Sequence, residues 1–292
     1  MTTDLGSIDL MRIFVAGGSG AIGRRLVPML VAAGHEVWGA SRTTEGVARL
    51  RAQGARGLLL DVFDRAAVAG AMAEAGPDVI MHQLTSLSGG SPVDNARIRN
   101  EGTRTLVDAA RRAGVRRIIA QSISWAYESG TTPADESTPL DTGAPEPRAT
   151  TIGGITALEE AVAELDEHVV LRYGTFYGPG TWYAPGGMMA DKVAQGGVPA
   201  HDGVSSFVHV QDAAHAAQLA LRWPSGAVNV VDDDPAPARE WVPALAKALG
   251  APAPQPAPGG AGWERGARNT RARELGWEPV HTSWRTGFLQ QD

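Results

Sequence analysis

Short apolar runs alternate with amphipathic stretches through the first two thirds of the chain. Runs at Arg12–Ala16, Glu36–Ala40, Gly57–Leu60, Val79–His82, Arg117–Gln121 and Val169–Arg172 are rich in Val, Ile and Leu. Such runs, bounded by turn residues, predict strands buried on both faces. Between them, residues 21–33, 65–75, 97–113 and 156–165 carry apolar positions at helical spacing. The alternation predicts an α/β fold, a Rossmann-type doubly wound parallel sheet with crossover helices on both faces. After Arg172 the regularity loosens. Residues 178–203 are rich in Gly, Pro and aromatics and read as a lid over a site. A helix over Val210–Leu221, a strand over Ala227–Val231 and a helix over Ala238–Leu249 follow, then a Pro-rich stretch, 251–260, that reads as a stiff linker.

This pattern sets an expected division of the chain. Residues 11–172 form the dinucleotide-binding domain, with a return segment near 206–222. Residues 173–205 and 223–292 form a smaller C-terminal substrate-binding lobe and its lid. Residues 1–10 read as a disordered extension, with Met11 as an alternative start. Composition then removes whole classes. A net charge of -6 over 292 residues leaves no basic footprint for nucleic acid. The absence of cysteine excludes disulfides, thiolate zinc sites and a thiol nucleophile, and fits a cytoplasmic protein. No apolar run approaches the roughly 18 residues of a membrane span, and the polar N-terminus lacks a signal-peptide layout.

The first chemical motif is the turn Gly17-Gly18-Ser19-Gly20-Ala21-Ile22-Gly23, between the first strand and the first helix. Missing side chains let a backbone approach a pyrophosphate, and a helix N-terminus offers its N–H groups to that anion. Gly17, Gly20, Ala21, Ile22 and Gly23 are therefore candidate cofactor contacts. The second strand ends in Ser41-Arg42, where an acid would hold an adenosine 2′-hydroxyl. An arginine without a competing carboxylate suits a 2′-phosphate instead, so NADP(H) is the expected cofactor. Asp61 and Val62, ending the third strand, are candidates for the adenine edge, and Gln83 after the fourth strand is a further cofactor candidate.

Together with Asn100-Glu101-Gly102-Thr103, Gln121-Ser122-Ile123-Ser124-Trp125-Ala126-Tyr127, Leu171-Arg172-Tyr173-Gly174, Phe207-Val208-His209-Val210 and Leu275-Gly276-Trp277, these segments carry a likeness over nearly the whole chain. The chain resembles the extended short-chain dehydrogenase/reductases of the epimerase/dehydratase-like branch. The resemblance implies a catalytic Ser/Thr, Tyr and Lys. Ser124 matches the Ser/Thr position. With Glu159 as the helix acid, Thr151 stands where Tyr belongs and Ile155 where Lys belongs. Sliding by one residue gives Ile152 and Thr156, and neither register restores the pair. Ser124 and Thr151 are thus the conventional candidates for touching a reacting oxygen. The arginine that holds a nucleotide-sugar diphosphate in the family falls at Ser205, which disfavours such substrates.

Without a Tyr–Lys pair, oxidation of a hydroxyl loses its base, whereas reduction needs only a hydride and a proton. A positioned acid contributes roughly 10²–10⁴-fold, part of which a phenolic substrate supplies itself. Trp125, Tyr127, Tyr173, Trp182, Tyr183 and Met188 are candidates for lining a pocket for a large aromatic ligand. The expected function is an atypical NADPH-dependent ketoreductase acting on an apolar aromatic ketone, resembling the angucyclinone- or simocyclinone-type ketoreductases of aromatic polyketide pathways. A non-catalytic NADP(H)-binding sensor and a nucleotide-sugar epimerase, dehydratase or 4-ketoreductase are the alternatives. Asp232-Asp233-Asp234 reads as a solvated turn, and no metal site is expected.

Overall fold

The computed structural model describes residues 10–86 and 91–288; the expected extension over residues 1–10 lies almost wholly outside them. Its elements run β1 (Arg12–Ala16), α1 (Gly23–Ala32), β2 (Glu36–Ser41), α2 (Thr44–Ala52), β3 (Arg56–Leu59), α3 (Arg65–Ala75), β4 (Val79–His82) and α4 (Pro92–Arg97). A π-helical turn, Ile98–Gly102, leads into α5 (Thr103–Arg112), then β5 (Arg117–Ile123), α6 (Arg148–Val162), β6 (Glu167–Tyr173), β7 (Thr175–Tyr177) and α7 (Met188–Ala194). The chain closes with β8 (Val204–Ser205), β9 (Phe207–His209), α8 (Val210–Leu219), β10 (Gly226–Val230), β11 (Ala236–Pro237), α9 (Ala238–Ala248), α10 (Thr270–Glu274) and α11 (Trp284–Gly287).

Seven strands form one parallel sheet in the order β10-β6-β5-β4-β1-β2-β3. Strand side chains alternate between faces, and the core divides accordingly. Ile13, Val15, Met81, Ile119 and Leu171 pack with Leu26, Leu30, Ala213 and Trp277 on the face covered by α1 and α8. Phe14, Ile80, Ile118 and Val170 pack with Met72, Leu106, Ala110 and Leu158 on the face covered by α3, α5 and α6. A third core gathers Tyr177, Phe207, Trp241, Leu245, Trp284 and Phe288 among β7, β9, α9 and α11.

Two of the differences from the sequence pattern bear on the site. Helix α6 begins at Arg148, well before Thr156, and runs through Gly153 and Gly154. Contact accounts for one of these glycines: a Cβ at Gly154 would lie 3.0 Å from Ala96 Cα, so a larger residue there would push α6 off α4 by a few tenths of an ångström. The stretch 178–203 holds α7, which packs against α9.

Candidate active site

The glycine turn is built by close approach. Gly17 has φ +85°, and a Cβ there would come 2.6 Å from the Gln83 carbonyl oxygen at the end of β4. A Cβ at Gly23 would come 2.4 Å from Gly18 O, so α1 starts directly against the turn. No side chain caps α1 at Ile22, which leaves its N-terminal end to an anion. Beside the turn opens a cavity walled by Gly17, Ser19, Gly20, Ser41, Arg42, Val62, Phe63, Gln83, Leu84 and Ile98, among others. Ala21 and Ile22 end the turn, α1 begins at Gly23, and none of the three lines the cavity. Asp61 is exposed, and its Oδ1 accepts from the Phe63 backbone N–H at 3.0 Å, shaping the loop that brings Val62 and Phe63 to the cavity.

Polar groups in this cavity fit a nicotinamide dinucleotide. Ser41 is buried and already engaged: its Oγ lies 2.9 Å from Ser19 Oγ and accepts from Thr43 N–H at 3.3 Å. Arg42, exposed on the wall, makes no hydrogen bond or ion pair among the described residues, and no described carboxylate lines the cavity. The Gln83 amide is buried, yet neither of its side-chain polar atoms has a hydrogen-bond partner of good geometry. The neighbouring Tyr173 hydroxyl donates instead to Ala213 O at 3.3 Å. The Gln83 amide thus faces the Tyr173 hydroxyl without a well-aligned bond, and a ribose or phosphate oxygen would give it a better partner.

At the C-terminal end of β5, Ser124 is buried and its N–H donates to Tyr173 O at 2.8 Å. Thr151 is half-buried on α6. Ile152 and Ile155 of the same helix pack with Ile123 and Ala126 in a small apolar cluster. Helix α6 reads Arg-Ala-Thr-Thr-Ile-Gly-Gly-Ile-Thr-Ala-Leu-Glu-Glu-Ala-Val, without tyrosine or lysine. Both lysines of the chain, Lys192 and Lys247, lie exposed on α7 and α9.

The four tyrosines are each committed to packing. Tyr127 is buried; its hydroxyl donates to Asn229 Oδ1 at 2.5 Å and accepts from Arg172 at 3.0 Å. Burial pushes it up to about 12, against the pull of the Arg172 charge. Tyr173 and Tyr177 are buried and raised by desolvation. The Tyr183 ring, also raised by burial, lies 5.5 Å from Phe207, 5.8 Å from Trp241 and 6.3 Å from Phe288 in the third core. Of the aromatic candidates, the structure therefore places Tyr127 and Tyr173 in the interior and Tyr183, half-buried, against the third core. Trp182 and Met188 are half-buried before and at the start of α7. Trp125 is exposed, its ring 6.2 Å from Trp263, over which the Arg148 guanidinium stacks at 4.2 Å.

Beneath Ser124 lies a buried polar network. Arg172 donates to both oxygens of Glu159, at 3.0 and 2.6 Å, and Ser122 Oγ donates to Glu159 Oε1 at 2.8 Å. Burial works to lower Arg172, but the hydrogen bond and charge of Glu159 outweigh it and raise the guanidinium above its ordinary value. Tyr127→Phe would leave Asn229 Oδ1 without its donor and Arg172 without one acceptor. It is expected to lose about 1–3 kcal/mol in urea unfolding while nicotinamide-dinucleotide binding stays unchanged. Loss of cofactor binding in a folded variant would place Tyr127 in the site. On β4, His82 Nε2 lies 2.8 Å from Thr103 Oγ1. Burial, helped by the charge of Arg99, pushes His82 down to about 4, so it is neutral near pH 7.

His209, Asp212 and His281 bring ligand-type atoms within 4.8 Å of one another. Asp212 is taken up by Val280 N–H and His281 N–H, both at 2.9 Å, and by His281 Nδ1 at 3.0 Å. The two imidazoles stack at 3.6 Å. This group straps residues 280–281 to α8.

Sequence reasoning missed Arg99, Arg148 and Trp263. Arg99 offered one signal: Arg97 pairs with Glu101 at helical spacing, which leaves Arg99 without a carboxylate of its own.

This sheet order, with a glycine turn between β1 and α1, defines a dinucleotide-binding enzyme fold. Residues 13–231 match the NAD dependent epimerase/dehydratase family, and the chain belongs to it. It is 43% identical to a Streptomyces 3-diazoavenalumate denitrifying reductase, over 95% of this chain and 99% of that protein. It is 31% identical to the UDP-glucose 4-epimerase of Mycolicibacterium smegmatis, over 92% of this chain and 94% of that one. A Stigmatella aurantiaca 4-hydroxy-2-methyl-3-oxo-4-farnesyl-3,4-dihydroquinoline-1-oxide ketoreductase is 35% identical over 44% of this chain and 39% of its own length. Among solved structures, the Thermus thermophilus UDP-glucose 4-epimerase in complex with NAD is similar with a TM-score of 0.72 and 27% identity, covering 95% of this chain and 96% of that one. The Bordetella bronchiseptica enzyme WbmG shares the fold, with a TM-score of 0.77 and 22% identity, covering 99% of this chain and 94% of that one. Among the described residues no helix is long and apolar enough to cross a membrane.

Proposed function

We propose that this protein is an NADPH-dependent reductase that delivers hydride to an aromatic diazo compound, releasing N2 without an acid held by the protein. The observation that carries this reading is α6, which has Thr151 and Ile155 at the two positions where the family resemblance implies a Tyr and a Lys. When bound, a reduced nicotinamide supplies the hydride. An arenediazonium group accepts it, the carbon–nitrogen bond breaks, the arene carbon keeps the hydrogen and N2 leaves with the former bond pair. Charge and atoms balance with no proton drawn from a side chain. The name of the Streptomyces relative, a denitrifying reductase of a diazo carboxylate at 43% identity, supports that substrate class.

The chain's own residues then have three tasks. The glycine turn and α1 hold the pyrophosphate, Arg42 pairs with the 2′-phosphate, and the buried β5–α6 region holds the substrate beside the ring with water excluded. Fixing that geometry supplies the rate enhancement. A ketone is the second reading, favoured by the ketoreductase relative; there, protonation would come from the substrate's own phenol or from water. The test is anaerobic mixing of enzyme, NADPH and an aromatic diazo carboxylate. One N2 per NADPH oxidised is expected. Oxidation by aromatic ketones alone would favour the second reading, and oxidation by neither would leave a binding protein.

A further inference from the structure

We propose that Arg99 is the anion-holding residue of the substrate site and pairs with the carboxylate of an aromatic acid. The inference rests on the reading above only for the identity of that anion. Arg99 lies on the π-helical turn Ile98–Gly102, between α4 and α5. Such turns displace one residue from the regular helical face and recur at functional sites. Here the turn packs against α6, and the Arg99 stem crosses that helix at a defined point. A Cβ at Gly154 would lie 3.5 Å from Arg99 Cδ. Gly154 falls on the turn between Thr151 and Ile155, the two positions that lack Tyr and Lys. On its other side Arg99 is close enough to His82, at the end of β4, for its charge to lower that imidazole.

The guanidinium is half-buried, and among the described residues it makes no hydrogen bond and no ion pair. Desolvation lowers it to about 10, with no carboxylate acting in the other direction. Its neighbours along the chain are different. Arg97 holds Glu101 at 3.1 Å, and Arg104 holds Asp108 and Glu164. Deeper in the sheet, Arg172 holds Glu159. A desolvated charge without a partner is costly unless something supplies the counter-charge. His82 cannot, being neutral.

The cofactor's own anions have other places to go. The pyrophosphate belongs to the glycine turn and the start of α1. Arg42 stands on the cavity wall at the end of β2. That wall includes Ile98 but not Arg99, whose side chain departs toward α6. The remaining anion in the reaction is on the substrate, and a guanidinium fork fits a carboxylate in a two-point pair.

The test is equilibrium binding of 4-hydroxycinnamate and its methyl ester to protein saturated with NADP+, by titration calorimetry. Wild type is expected to bind the acid roughly 10- to 100-fold more tightly than the ester, the effect of one charge-assisted pair. Arg99→Gln should erase that ratio, Arg99→Lys should keep part of it, and NADPH affinity should stay within about two-fold in both. A wild-type ratio near one, or a ratio that survives in Arg99→Gln, overturns the proposal. So does a loss of NADPH affinity as large as the loss of acid affinity, which would give the cation to the cofactor. Should Arg99→Gln not fold, the wild-type ratio and the Arg99→Lys ratio decide alone. Because this assay needs no turnover, absence of N2 release would count against the diazo reading and leave the carboxylate pairing standing.

Discussion

Arg42→Ala is expected to lower kcat/KM for NADPH roughly 10- to 100-fold while changing that for NADH less than about three-fold. One charge-assisted pair to phosphate is worth about 1.5–3 kcal/mol, and the variant removes that pair alone. The structure supplies the reasons for expecting the whole effect at this residue. Ser41 cannot substitute, since its hydroxyl is held by Ser19 and by the Thr43 N–H. No described carboxylate on the cavity wall would repel a 2′-phosphate. Arg24 and Arg25 are turned to other work: Arg24 donates to Ser19 O, and Arg25 to Ala21 O and Pro179 O. Equal loss with both cofactors, or a wild type that prefers NADH, would remove Arg42 from this role.

The largest stability effect is expected from Glu159→Ala. It would strand Arg172, which is 7% exposed, with only the Tyr127 hydroxyl as partner. Removing one member of a buried pair costs about 3–5 kcal/mol, because the other charge stays buried. For a chain of this size that is a fall in Tm on the order of 6–15 °C. Replacing both members with apolar residues is far milder in such pairs, so Glu159→Leu with Arg172→Met should recover most of the loss. Scanning calorimetry of the three proteins measures this. A Glu159→Ala variant within about 1 kcal/mol of wild type would mean that water reaches the pair and that the network does not fix β5 against α6.

The strands of the sheet were legible because a strand buried on both faces must be apolar throughout, as Ile13-Phe14-Val15 and Val79-Ile80-Met81 are. The glycine turn was legible for a related reason, since Gly17 and Gly23 are forced by contacts a few residues away or at the next strand's end. Helix α6 was not. Gly153-Gly154 costs about 1 kcal/mol per residue in an isolated helix and reads as a break; the close approach of Ala96 accounts for Gly154, whereas nothing in the structure explains Gly153. Tyr127 and Tyr173 look the same in sequence whether they line a pocket or fill a core. What decides is partners such as Asn229 and Ala213, which no local pattern reveals. Tyr183 sat in a Gly/Pro-rich stretch that suggests a lid, yet the fold carries it into an aromatic cluster with Phe207 and Trp241. Arg99 was only half legible: helical spacing pairs Arg97 with Glu101 and leaves Arg99 without a local carboxylate, but its lack of a distant partner among the described residues is defined by the folded chain.

On the proposed reaction, hydride transfer proceeds without a proton donor from the protein. The direct measurement is the steady-state rate of NADPH oxidation by an aromatic diazo carboxylate, compared between wild type and the Ser124→Ala, Thr151→Ala double variant. A protein acid contributes roughly 10²–10⁴-fold. A double-variant kcat within about ten-fold of wild type is the predicted result. A fall of more than about a hundredfold with NADPH binding intact would return the proton to these side chains and contradict the account.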